Sequence, residues 1–150
     1  MKKFRFSLET VLDYKQQILD SLRAEHGAIL ARVRAQEEEL EKLEEEYREL
    51  DEEFSQRKIE GLTILEAMQY EQYLRASERE IQEAAALLEK LRRQEEAKRA
   101  EVVAAKQDTS SLEKLREKKL DLYNKAVQKS EEALIEEFVS TTRVMAAQSA

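Results

Sequence analysis

Residues 8–54, LETVLDYKQQILDSLRAEHGAILARVRAQEEELEKLEEEYRELDEEF, decide the fold. Within them Leu8, Leu12, Leu19, Leu22, Ile29, Val33, Leu40, Leu43, Tyr47, Leu50 and Phe54 fall on an unbroken ladder of alternating three- and four-residue steps. Lys15, His26 and Gln36 hold the only polar rungs. The mean step of about 3.5 residues keeps an apolar stripe turned toward a partner helix. Sustained over more than three heptads, the pattern predicts a coiled coil, whose function belongs to a rod and not to a pocket.

Beyond Phe54 the next rungs would be Arg57 and Gly61, and the ladder ends there. Gly61 is suited to stop a helix because it enters the left-handed conformation cheaply. Thr63-Ile64-Leu65-Glu66 then fits a capping box, with Leu62 and Ala67 placed for a weak hydrophobic staple. Stop and start signals this close predict an antiparallel return, with helix one over about 5–58, a turn at about 59–63 and helix two over about 64–145.

A second ladder runs through Ala67, Tyr70, Leu74, Ser77, Ile81, Ala84, Leu88, Leu91, Glu95, Lys98, Val102, Ala105, Thr109 and Leu112, weakening around Glu95 and Lys98. Folding about the turn pairs residues whose numbers add to about 121, so Tyr47 faces Leu74, Leu40 faces Ile81 and Val33 faces Leu88. The acidic run Glu37–Glu53 should then meet Arg75 and Arg79. Such exposed pairs set register more than stability.

The predicted fold is therefore all-α: two long helices in an antiparallel coiled-coil hairpin, one rod over 1–150, with a C-terminal helical overhang. The overhang follows from the pairing rule, since residue 1 reaches only to about 120. Leu120, Tyr123, Val127, Leu134 and Phe138 continue an apolar stripe with no intramolecular partner, over up to ~40 Å of helix. An exposed stripe of that length marks an interaction surface; the plainer alternatives are a frayed tail or a self-dimerising helix.

Composition agrees with a long helical protein. The 150 residues include no Pro, Cys or Trp, two Gly and 39% charged residues. Without cysteine there are no disulfides or thiolate metal sites. Ser7, Glu9, Thr10 and Asp13 interrupt what would have to be the apolar core of a signal peptide after Met1-Lys2-Lys3, and no run is long enough to span a bilayer. A soluble protein is expected. The net charge of −7 argues against nucleic-acid binding.

Chemistry-bearing candidates are few. His26, the only histidine, lies on a seam rung beside Gly27 and reads as a tolerated polar interruption in preference to a pH switch. The carboxylates spread around the helices and lack companion histidines, so they read as a solvated face and not a metal site. Tyr70 and Leu74 lie on the seam, whereas Tyr73 points off it, either simply solvated or as a docking contact. Phosphate loops, nucleophile elbows and metal-binding His pairs are all missing. No catalysis and no cofactor are expected.

Phe4-Arg5-Phe6-Ser7-Leu8-Glu9-Thr10-Val11-Leu12-Asp13-Tyr14-Lys15 resembles the Phe-x-Phe-x-Leu-x-x-Val-Leu-x-x-Lys/Arg opening of the bacterial flagellar export protein FliJ family. The glycine-marked turn, Tyr70 and Tyr73, Leu115–Leu120 with Tyr123, and Ile135–Phe138 extend the resemblance over nearly the whole chain. Proteins of this family look like the coiled-coil stalk of the gamma subunit of rotary ATPases. The resemblance implies a stalk in the central hole of the hexameric flagellar export ATPase, promoting its assembly and activity and linking it to the export-gate membrane protein. It also implies an association with export chaperones.

The implied place is the bacterial cytoplasm, peripheral at the inner membrane at the flagellar base, with no direct membrane insertion. Candidate ring-binding residues are Phe4, Phe6, Leu8, Arg116, Leu120, Tyr123, Val127, Leu134 and Phe138, and Tyr73 is the candidate export-gate contact. Lys2, Lys3, Arg5, Lys114, Arg116, Lys118 and Lys119 would gather at the ring end as a basic collar suited to acidic loops. The stalk reading expects a monomeric hairpin in isolation. The alternatives are an injectisome-type stalk, a self-dimerising spacer or adaptor, and a client-cradling chaperone; the last is disfavoured by a chain with only three Met.

Overall fold

A computed structural model of the chain describes residues 2–148, so Met1, Ser149 and Ala150, the ends of the expected 1–150 rod, lie outside the described residues. Two helices packed against each other, α1 (Glu9–Glu60) and α2 (Ile64–Gln148), account for nearly all of it. No strand occurs among the described residues, and the protein is an all-α helical hairpin. By internal contacts the chain forms two compact units, Asp20–Val103 and Met1–Leu19 with Ala104–Ala150.

The turn lies in the first of these units. Gly61 has φ 110°, a conformation closed to most side chains. Its N–H returns to the Arg57 carbonyl at 2.9 Å, the single bond of a left-handed helix cap. On the other side the Glu66 N–H donates to Thr63 Oγ1 at 3.2 Å, which is the expected N-cap. The Glu66 carboxylate reaches across the turn to Arg57 Nη2 at 3.4 Å and ties the two helix ends together.

Every ladder rung of this unit, Leu22 to Phe54 on α1 and Ala67 to Val102 on α2, is buried or half-buried. Val33, Phe54, Leu74, Ala84 and Leu88 are its buried hydrophobic residues. Phe54 and Tyr70 stack with ring centroids 5.0 Å apart, closing the seam next to the turn. Its polar rungs find partners inside the seam. Gln36 Nε2 donates to the Ala84 carbonyl at 3.0 Å, and His26 Nε2 lies 2.9 Å from Glu95 Oε1. The numbers of His26 and Glu95 add to 121, the expected register.

The expected meeting of Arg75 with the acidic face of α1 is replaced by a local arrangement. Arg75 binds Glu78 at 2.9 Å and Glu71 at 3.5 Å on its own helix, where three- and four-residue spacing brings them close. Tyr47 of α1 then donates its hydroxyl to Glu78 at 3.1 Å. Besides Arg57 with Glu66 at the turn, Arg92 pairs with Glu37 at 3.5 Å and Lys98 with Glu25 at 3.0 Å between the helices of this unit.

In the other unit Phe6, Leu12 and Leu19 are buried, as is Thr109, whose hydroxyl donates to the Ala105 carbonyl at 2.9 Å. Lys15, a polar rung, meets Asp108 at 3.7 Å. The start of helix one needs correction. α1 begins at Glu9 and not near residue 5, because the chain before it is spent on packing: residues 2–6 run without helix and Ser7-Leu8 form a turn. This short strap keeps the antiparallel course along α2: the Lys2 carbonyl is bonded by Tyr123 and the Glu9 carboxylate by Arg116.

Candidate functional site

The unit that contains the N-terminus divides the expected ring-binding residues into two groups. The first is packed. Phe6 is buried at 7% exposure, and its carbonyl accepts the Glu9 N–H at 3.1 Å, the turn that feeds the strap into α1. Phe4 is half-buried, with its ring 5.7 Å from that of Tyr123 and the Arg116 guanidinium 5.6 Å above it. Arg116 Nε also donates to Glu9 at 2.9 Å, and the Tyr123 hydroxyl donates to the Lys2 carbonyl. Leu8, Leu120 and Val127 are half-buried. Phe4 is thus packed on α2, and Phe6 is buried in the turn that leads into α1.

The second group is open. From residue 131 to 148 every residue of α2 is exposed, over about 27 Å of helix. Leu134 is 63% exposed and Phe138 73%. Ile135 and Val139, which ladder reasoning passed over, are exposed beside them and widen the apolar side. At about 100° per residue these four share one half of the helix with Glu131 among them and Glu132 at its edge, while Glu136 and Arg143 fall on the other.

In the unit that contains the turn, Tyr73 is 66% exposed next to the buried Leu74, so it projects away from the seam as its register demands. Ile59, Ile64, Leu65 and Met68 are also strongly exposed around the turn. The ladder excluded them as off-seam positions, and their apolar character carries no periodic signal.

The pair of half-buried His26 and buried Glu95 was also missed, although the pairing rule already placed the two numbers opposite each other. Glu95 accepts from His26 and, at 3.0 Å, from Arg99 Nε. Those two hydrogen bonds hold its carboxyl below the usual range, the bond from His26 contributing most. Glu78 is likewise lowered, first by Arg75, while the Tyr47 hydroxyl bonded to it is raised. None of these groups lines an enclosed cleft, and no cluster able to hold a metal occurs among the described residues.

An exposed apolar helix end, a strapped basic N-terminus and a solvent-facing tyrosine are what the expected site residues amount to in the structure. The family profile described as Flagellar FliJ protein matches residues 4–147. The chain belongs to the flagellar FliJ family. Membership associates it with the bacterial flagellar export apparatus, as a structural or export component of a family that is in general non-catalytic. Comparison with curated proteins and with solved structures gave no significant match. No helix among the described residues is long and apolar enough to cross a membrane.

Proposed function

We propose that this FliJ-family chain is a central stalk of the flagellar export machinery, entering the hexameric export ATPase with the free end of α2 and acting as one coiled-coil rod. The observation that carries this reading is the fully exposed helical segment 131–148 with Leu134, Ile135, Phe138 and Val139 on one side. Burying a side chain of this kind is worth about 1.5–3 kcal/mol before the costs of association. A helix that spreads such contacts over several subunits of a ring favours the assembled ring over free subunits. Catalysis then remains with the ATPase, whose assembly and rate the stalk raises.

On the same reading Tyr73 contributes to a contact with the cytoplasmic part of the export gate, and export chaperones are further partners. The chain would reside in the cytoplasm, peripheral to the inner membrane at the flagellar base. An injectisome ring would be served by the same physics; the Phe4-x-Phe6-x-Leu8 opening favours the flagellar one.

The test is the steady-state rate of the cognate export ATPase with the full chain and with a chain ending at residue 130. A rise in rate with ring-sized assemblies, lost on truncation, supports the stalk. No rise, together with a dimer in light scattering that truncation abolishes, would establish the self-associating spacer instead.

A further inference from the structure

The strap and α2 enclose an open cleft of about 1070 Å³ whose lining includes Lys2, Lys3, Arg5 and Lys119 around the rings of Phe4 and Tyr123. No acidic side chain lines it. The nearby carboxylate of Glu9 is turned to Arg116 at 2.9 Å. Four cations thus converge on one concavity in a chain whose net charge is −7. The pairing rule already sets Lys119 opposite residue 2, and of the seven expected collar residues these four are the ones that line the cleft.

We infer that this cleft docks a short carboxylate-rich protein segment, which deepens the stalk reading and rests on it only for which protein supplies the segment. Carboxylates would meet the lysines and Arg5, whose planar fork suits bidentate pairing, and the aromatic floor would take an apolar side chain between them. The net negative charge of the chain and the small extent of the basic surface favour a short segment over a long polyanion such as RNA. A bilayer surface is disfavoured by the rings themselves. Phe6 is buried and Phe4 is packed on Tyr123, so neither is placed to insert among lipids.

The experiment measures fluorescence anisotropy of a short fluorescein-labelled oligoglutamate peptide containing leucine, titrated with the full chain. Two double variants receive the same change of net charge in different places: Lys3→Glu with Lys119→Glu in the cleft, and Lys42→Glu with Lys90→Glu outside it. Circular dichroism confirms that both remain helical. The cleft variant should lose affinity by about tenfold or more, the outside variant by less than about twofold, and wild-type binding should weaken with salt.

Equal losses in the two variants would reduce the effect to net charge and overturn the proposal. So would tighter cleft-dependent binding of an RNA oligomer or of phosphatidylglycerol vesicles than of the peptide. Peptide binding without stimulation of the export ATPase would sink the stalk reading alone. Stimulation without peptide binding would sink the cleft alone.

Discussion

Leu88 and Phe138 both stand on α2 in runs of helical apolar spacing, yet Leu88 is 5% exposed and Phe138 is 73% exposed. The first belongs to a stretch whose every rung is covered; the second belongs to one in which no residue is. Periodicity decides which side chains share a face of a helix, and burial requires a second element in register. A covered stripe stabilises the fold; on the proposed stalk reading, the uncovered one is kept for the export ATPase.

The largest effect should come from the covered stretch. Leu88→Asp places an uncompensated charge in the seam and should collapse the thermal melt, and even Leu88→Ala should cost about 2–5 kcal/mol. An unchanged melting temperature would refute the pairing of the helices at that point.

Acid probes the polar layer of the same stretch. The Glu95 carboxyl is lowered from 4.5 in the folded protein, so its contribution is complete above pH 4.5 and is lost as pH falls through the folded value below that. Melting temperature should therefore fall under acid, and Glu95→Gln should flatten that limb. A variant with the same acid limb as wild type would show that other carboxylates govern it.

The two glycines should move stability in opposite directions. Gly61→Ala must adopt φ 110° and should destabilise by about 1 kcal/mol or more. Gly27 lies inside α1 with open space where a Cβ would go, so Gly27→Ala should stabilise by about 1 kcal/mol. Denaturant melts of both variants settle the signs. The smallest stability effect belongs to the open stretch. Phe138→Glu should change the melt by less than about 0.5 kcal/mol while reducing stimulation of the export ATPase. A large loss of helicity would mean that residue 138 is covered after all.

Much of the fold could be read from the chain. The ladder ending at Phe54, the stop at Gly61 and the cap at Thr63 are local signals, and the structure has all three. Tyr73 off the seam and Leu74 on it follow from the same period. The roles of Phe4 and Phe6 were less legible. The resemblance made them ring-binding candidates, and no periodic signal told that Phe4 packs on Tyr123 or that Phe6 is buried. The partner of Arg75 was also misread, since a carboxylate one turn away on its own helix competes with those across the seam.

Sequence alone determined the period, the turn and the approximate register, because these depend on backbone geometry and on side chains a few residues apart. Tertiary structure decided how the strap is anchored, which of the expected basic residues line the cleft and where the uncovered helix begins. Those outcomes depend on the contacts of the non-helical residues 2–6, and a period of 3.5 carries no information about a segment that is not helical.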